Sequence, residues 1–126
     1  SCFINMKLNF NKEYTKRPEA LIRVCGYGKL ISPRTGQVSY ARHLRRGARY
    51  PRFHCYIDEK DTTFTINLHL DQKQASYGTH TAHGGDYDGQ AVEEEAKRIQ
   101  EVIDEHLIEK KEVPVDTPTY DLSMFG

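Results

Sequence analysis

Residues 64–88 have the sequence FTINLHLDQKQASYGTHTAHGGDYD, in which a strand pattern leads into a loop rich in glycine and histidine. Large apolar residues alternate with polar ones in the first eight positions, in the order Phe64, Thr65, Ile66, Asn67, Leu68, His69, Leu70 and Asp71. An alternation with a period of two predicts a strand with one buried face and one open face. The positions after this strand hold three glycines, two histidines and two aspartates. We therefore expect a functional site on the strand and the loop that follows it.

A second alternating segment, residues 52–57, precedes this strand. Its apolar members are Phe53, Cys55 and Ile57, and its polar members are Arg52, His54 and Tyr56. The turn at residues 58–62 predicts an antiparallel hairpin. Burial of both apolar sets on one face fixes the parity of the pairing, because a slip of one residue turns every side chain to the other face. The sequence thus predicts an open polar face that brings together Arg52, His54, Asn67, His69 and Asp71.

Two helices are predicted outside the hairpin. Pro18–Cys25 begins with a proline, which suits the first helical position, and Gly26 is expected to end this helix. Over Gln90–Lys111 apolar residues recur at helical spacing, and three glutamates lie near the start, where the helix dipole favours them. Residues 28–44 predict two short strands around a turn, or one strand after a loop. Residues 1–14 predict an edge strand or an ordered arm.

These elements predict a single α+β domain over residues 1–112. We expect a three-stranded antiparallel sheet with two helices on one face, in the order α-β-β-β-α. Residues 113–126 contain two prolines and no amphipathic period, so an extended C-terminal tail is expected there. Four residues of this tail are candidates for contact with a protein partner: Tyr120, Leu122, Met124 and Phe125.

The composition is typical of a soluble globular domain, with 37% hydrophobic and 29% charged residues. No apolar run approaches the roughly 20 residues of a membrane span, so no membrane partner is expected. Residues 1–10 lack the apolar core and cleavage site of a signal peptide. Three cysteines without a CxxC pair argue against a disulfide framework or a thiolate zinc site. A reducing cytoplasm is the expected location.

Charge is segregated along the chain although the net charge is zero. Residues 1–56 hold 12 lysines and arginines and two acidic residues, and residues 57–126 hold six and 16, so the halves carry +10 and −10. Four arginines lie within eight residues of a loop that contains glycine and proline: Arg45, Arg46, Arg49 and Arg52. Such a loop is typical of phosphate contact and predicts binding of nucleic acid, RNA in preference to DNA. The alternatives are a solubilising loop, or neutralisation of one half by the other in the fold.

A catalytic hypothesis rests on His54 and His69, with Arg52 and Asn67 beside them on the open face. A histidine titrates near neutrality and can move a proton, and an arginine can stabilise the charge that develops on a phosphorane. This set suffices for metal-independent RNA cleavage with the ribose 2′-hydroxyl as nucleophile. The alternative is a pair of surface histidines stacked on Tyr56, without chemistry.

A metal centre is the second candidate site, with four ligands: His69, Asp71, His80 and His83. Imidazole nitrogens and carboxylate oxygens are ligands of zinc, manganese and iron. We expect either no cofactor or one divalent transition metal, zinc or manganese, in a metal-dependent hydrolase. The spacing matches no HExxH motif. In the alternative interpretation Asp88 caps the long helix, Asp86 hydrogen-bonds within the loop, and the loop histidines are merely exposed.

The predicted order of elements resembles the α-β-β-β-α arrangement of double-stranded-RNA-binding domains. HicA-type toxins, small ribonucleases with a strand-borne histidine, are similar, and His54 in YPRFHCYI (residues 50–57) stands at the matching position. This resemblance implies RNA binding, and cleavage with His54 as the catalytic histidine.

The pattern HLDQK…AHGGDYD…VEEEAKRI also resembles short bacterial proteins of unassigned function. The leading interpretation is recognition of nucleic acid, extending to RNA cleavage if the histidines are active. Its rivals are a metal-dependent hydrolase and a non-enzymatic protein-interaction module.

Overall fold

A computed structural model describes residues 5–72 and 84–108, and of residues 84–88 it describes the backbone alone. The elements along these residues are β1 (Asn5–Phe10), α1 (Pro18–Val24), β2 (Gly28–Ile31), β3 (Val38–His43), β4 (Arg52–Glu59), β5 (Phe64–Asp71) and α2 (Gly84–Asp104). The strands form one sheet in the order β1-β5-β4-β3-β2. Every neighbouring pair is antiparallel.

The prediction of a three-stranded sheet is wrong, because five strands join one sheet within the described ranges. β1 pairs with β5 along its whole length, from Asn5 opposite His69 to Phe10 opposite Phe64. β2 and β3 form a second hairpin, and β3 also pairs with β4. The sequence allowed β1 as an edge strand and β2 as one of two short strands, but the predicted three-stranded sheet has no room for both. The pattern of β1 is irregular and β2 has only four residues, so their pairing depends on their neighbours in the sheet. The α+β class is confirmed, with the order β-α-β-β-β-β-α.

Helix α1 begins at Pro18 as expected and ends at Val24, one residue earlier than predicted. Gly26 follows with a φ of 100°, a left-handed conformation that glycine adopts without strain. The backbone N–H of Tyr27 then donates to the Ile22 carbonyl at 3.3 Å. The predicted role of Gly26 in ending this helix is confirmed.

Helix α2 spans Gly84–Asp104, whereas the sequence predicted Gln90–Lys111. Its start was missed because three glycines in residues 84–89 lower the helix propensity there. Asp88 therefore lies inside the helix and does not cap it. The helix ends early because residues 106–108 pair with the connection between β1 and α1. Neither helix of the described residues is long and apolar enough to cross a membrane.

The core lies between the two helices and one face of the sheet. Its buried strand residues are Phe10, Tyr40, Phe53, Cys55, Phe64, Ile66 and Leu68. Its buried helix residues are Leu21, Ile22, Val92, Ala96, Ile99 and Ile103. Buried Cys55 lies opposite buried Leu68, so the predicted parity of the β4–β5 hairpin is confirmed. Each large apolar side chain contributes roughly 1.5–3 kcal/mol when buried, which holds this register against a slip.

Glu95 of α2 joins the helix layer to the strands. It is 5% exposed and accepts a hydrogen bond from the Tyr27 hydroxyl at 2.6 Å. Arg42 of β3 and Arg98 of α2 hold the same carboxylate at 3.2 and 2.9 Å. Burial raises the pKa of Tyr27, and the neighbouring Glu95 charge raises it further. Because three partners hold this buried carboxylate, they help to fix the position of α2 on the sheet.

Candidate functional site

The candidate site lies on the open face of the β4–β5 hairpin, opposite to the face that the helices cover. Three cross-strand pairs follow one another along it: Arg52 with Asp71, His54 with His69, and Tyr56 with Asn67. Neighbouring pairs are two residues apart along each strand, which is roughly 6.8 Å. The structure thus brings both predicted catalytic histidines onto one surface with Arg52 and Asn67.

Asp71 is the common partner of three side chains at this site. Its Oδ2 atom lies 3.1 Å from Nε of Arg52 and 3.1 Å from Nδ1 of His54. Its Oδ1 atom lies 3.2 Å from Nε2 of His69. The four side chains are between 12% and 27% exposed, so these contacts are only partly screened by water. One carboxylate therefore holds the two imidazole rings in fixed positions relative to each other.

The pKa of Asp71 lies below its usual range. Burial by itself raises the pKa of this carboxyl group, but hydrogen bonds from His54, His69 and Arg52 together outweigh that effect. The carboxylate is therefore ionised at neutral pH. In this state it can stabilise a positive charge that forms on either histidine.

Ser39 of β3 is a further member of the site that the sequence did not identify. Its Oγ atom lies 2.9 Å from Nε2 of His54, and the residue is only 7% exposed. Since Nδ1 of His54 faces Asp71, both ring nitrogens of this histidine have partners. Ser39 was missed because residues 28–44 did not decide between one strand and two. The alternation of Ser39, Ala41 and His43 on one face was the signal that could have placed it.

Tyr56 contacts both histidines on the open face. The centroid of its ring lies 5.0 Å from that of His54 and 6.0 Å from that of His69, and the second pair is nearly parallel at 26°. The two imidazole rings lie 5.0 Å apart at an angle of 67°. The predicted contact of Tyr56 with the histidines is therefore confirmed. Both histidines also contact the Asp71 carboxylate, so their contact with Tyr56 does not exclude a catalytic role.

A cleft of about 590 Å³ opens at the start of β4. We call it the arginine cleft, and its lining residues are Leu30, His43, Arg45, Arg46, Gly47, Ala48, Arg49 and Arg52. The Arg52 guanidinium carbon lies 4.9 Å from the centre of the Tyr50 ring, while Nε faces Asp71. Arg52 therefore belongs to both the cleft and the histidine pair. Among the described side chains, those of residues 5–72 and 89–108, no acidic group forms an ion pair with Arg45, Arg46 or Arg49.

His54, His69 and Asp71 could hold a metal ion, since one ligand atom from each lies within 4.8 Å of the others. The sequence predicts His69 and Asp71 as metal ligands and gives His54 a catalytic role only. The cross-strand pairing of the hairpin was the signal for adding His54. The other two predicted ligands, His80 and His83, lie outside the described residues, as does the predicted tail at 113–126.

The chemistry of the site follows from its ionised carboxylate, its two histidines and its adjoining cationic cleft. The histidines can transfer protons, the carboxylate can stabilise the resulting imidazolium, and the arginines can bind phosphate. Comparisons of the chain with protein-family models, with curated proteins and with solved structures found no match.

Proposed function

We propose that this protein binds RNA and cleaves it on the open face of the β4–β5 hairpin. The observation that carries the proposal is that His54 and His69 share Asp71, beside an arginine that also lines the arginine cleft. Two histidines held by one carboxylate are suited to act as an acid–base pair. Arg45, Arg46 and Arg49 of the cleft, which form no ion pair with a described side chain, supply charge for the phosphates that flank the reacting bond.

The proposed reaction transfers the phosphodiester to the neighbouring ribose 2′-oxygen. Neutral His69 is the base, because no described residue hydrogen-bonds its Nδ1, and it takes the 2′-hydroxyl proton as the new O–P bond forms. Protonated His54 is the acid and gives its Nε2 proton to the 5′-oxygen as the old P–O bond breaks. The leaving oxygen then takes the place of Ser39 as the partner of Nε2. The products are a 2′,3′-cyclic phosphate and a free 5′-hydroxyl group.

Arg52 connects substrate binding with this reaction. Its Nε atom is held by Asp71, and its planar guanidinium leaves two Nη groups for phosphate oxygens. The ring of Tyr50 supports the guanidinium from one side. The Arg52–Asp71 pair is next to the His54–His69 pair along the hairpin. A phosphate bound by Arg52 at the edge of the cleft would therefore lie near the histidines, where the 2′-oxygen of the adjoining ribose can attack it.

Cleavage is tested with single-stranded RNA and with the same strand carrying one 2′-deoxyribose. Wild-type protein should cleave the first strand in the presence of a chelator and should spare the deoxy position. His54→Gln and His69→Gln should each lower kcat/KM by about 10²–10⁴-fold. His106→Gln, two residues beyond the end of α2 and away from the site, is the matched control. Equal cleavage by wild-type and both site variants would show that the activity belongs to a contaminant.

Phosphate contact by the arginine cleft is tested through salt dependence. Three to four contacts with single-stranded RNA give a slope of log affinity against log salt of roughly −2 to −3. Changing Arg45, Arg46 and Arg49 together to Ala should bring this slope close to zero. The control changes Arg23, Arg34 and Lys60, three exposed cations away from the cleft, and should leave most of the slope. An unaltered slope in the cleft variant, or no RNA binding at low salt, contradicts the proposal.

A metal-dependent hydrolase is the second candidate function, and the spacing of His54, His69 and Asp71 favours it. Two imidazoles and one carboxylate suit zinc or manganese and leave coordination positions open for water and substrate. The low pKa of Asp71 keeps this ligand ionised. Arg52 and Ser39 would then orient Asp71 and His54 from outside the metal's coordination sphere.

Elemental analysis of the purified protein separates the two functions. A metal enzyme should hold about one zinc or manganese ion per chain, and a chelator should lower its Tm because the ion binds only the folded state. His54→Ala should remove the ion if the described cluster is the site. If His54→Ala keeps the ion but His80→Ala or His83→Ala loses it, the metal ligands are those predicted from the sequence. A metal-free protein whose Tm is unaffected by zinc, manganese or chelator rules this function out.

A further inference from the structure

The third cross-strand pair of the open face, Tyr56 with Asn67, has no part in the reaction proposed above. It follows the His54–His69 pair along the hairpin, roughly 6.8 Å farther from the arginine cleft. The open face is therefore ordered: phosphate-binding charge at one end, the histidines in the middle, and an aromatic ring beside a carboxamide at the other end. A nucleotide presents the same order of groups, from phosphate through ribose to base.

We infer that Tyr56 and Asn67 form a nucleobase subsite. Tyr56 is half-buried, and its contacts with His54 and His69 hold the ring in place without enclosing it. A ring fixed in this way is a stacking surface for a base, because stacking needs only an exposed aromatic face and little lost side-chain freedom. The subsite deepens the proposed RNA-binding function and rests on it.

Asn67 supplies the polar half of the subsite. It lies directly opposite Tyr56, is half-buried, and has no side-chain hydrogen bond to any residue of the described ranges. A carboxamide offers one acceptor and two donor hydrogens. These groups match the adjacent donor and acceptor on the edge of adenine, the base with which asparagine pairs most readily. The subsite therefore favours adenine over uracil.

Stacking is measured with a 2′-O-methyl oligonucleotide that carries 2-aminopurine, because this probe cannot be cleaved and its fluorescence falls when it stacks. Wild-type protein should quench the probe. Tyr56→Leu should lose the quenching and bind roughly five- to 150-fold more weakly, as loss of one stacked base implies. Tyr56→Phe keeps the ring and should retain both. Unchanged quenching and affinity in Tyr56→Leu would overturn the subsite.

Base preference is measured with the same backbone carrying adenine or uracil. Asn67→Ala should abolish the preference for adenine while 2-aminopurine quenching persists, and Thr65→Ala on the same face should change neither. Equal binding of both bases by wild-type protein would overturn the role of Asn67. If the histidine variants leave cleavage unchanged but the Tyr56 result holds, only the proposed reaction fails. If wild-type protein does not bind the probe at low salt, both the subsite and RNA binding are overturned.

Discussion

Asp71 is the residue on which the arrangement of the open face depends most. Its two oxygens accept hydrogen bonds from Arg52, His54 and His69, which come from both strands of the hairpin. Any one of these donors could be lost while the other two kept the carboxylate in place. Loss of the carboxylate itself releases all three at once, and its removal is therefore the most informative single change.

Asp71→Asn should lower kcat/KM for RNA by about 10²–10⁴-fold and the free energy of unfolding by about 1–3 kcal/mol. The amide has the same shape, but it carries no charge and turns an acceptor into a donor facing other donors. Activity assays and urea denaturation measure the two effects. Asp58→Asn, an exposed acid on the same face of β4, is the control. Wild-type activity in Asp71→Asn would show that the histidines act without this carboxylate.

The β4–β5 hairpin is the element that could be predicted almost completely from sequence. Both strands alternate strictly, the turn between them is short, and burial of two apolar sets leaves one pairing parity. That parity placed His54, His69, Arg52 and Asp71 on one face, and the structure adds which of them are cross-strand pairs. The sequence also allowed β1 as an edge strand or an arm and β2 as one of two short strands. It could not place them in the sheet, because β1 pairs with a strand far along the chain and β2 has only four residues. Ser39 lies on β3 and was missed because its contact with His54 requires β3 to lie next to β4.

Adjacent residues of β5 should differ sharply in their effect on stability. Leu68→Ala should lower the free energy of unfolding by about 2–5 kcal/mol, because Leu68 is fully buried and its truncation leaves a cavity. Asn67→Ala, one residue away on the open face, should change it by about 0.5 kcal/mol or less. Urea denaturation with a common m value gives both numbers. If both changes lowered the free energy of unfolding by a similar amount, the assignment of Leu68 to the buried face and Asn67 to the open face would be wrong.

Across the whole molecule, the opposite charges of the two halves of the chain are partly brought together. Arg42 pairs with Glu95 and Arg52 with Asp71, so the first half lends cations to acids of the second. The cationic loop at residues 45–49 takes no part in these described ion pairs. Among the described residues, folding therefore pairs cations of the sheet with acids of the sheet and of α2, whereas Arg45, Arg46 and Arg49 stay outside these pairs. Charge counts along the sequence could not distinguish the arginines that form ion pairs from those of the loop, because the pairing depends on which strands become neighbours.

The buried thiols predict how the stability of the whole fold depends on pH. Burial raises the pKa of Cys25 to about 11 and that of Cys55 to about 12, whereas an unfolded thiol titrates near 8.5. Between these values the folded state keeps protons that the unfolded state loses, so stability is present below the unfolded pKa and falls as pH rises. The loss should be about 1.4 kcal/mol per pH unit for each thiol above pH ~9.

Urea denaturation with reductant between pH 8 and pH 10 measures this dependence. The double variant Cys25→Ala, Cys55→Ala should be less stable at pH 8 because of the lost packing, but its stability should fall less steeply above pH ~9. In a Cys2→Ser background, a thiol reagent at pH 8 should label no cysteine in the folded protein and two after denaturation. Parallel pH profiles, or rapid labelling of the folded protein, would contradict the burial of these thiols.

The sheet order also has a consequence for how the protein is made. β2, β3, β4 and β5 each pair with the next strand along the chain, so this meander can assemble through short loops as it leaves the ribosome. Among the described strands β1 is synthesised first, yet its partner β5 is synthesised last. Until β5 has been synthesised, the apolar side chains of Met6, Leu8 and Phe10 cannot pack in the core. The pairing of β1 with β5 also closes the long loop between these strands, which is entropically costly. Of the described strands, β1 is thus the one most exposed to wrong contacts during synthesis, and its docking completes the five-stranded sheet.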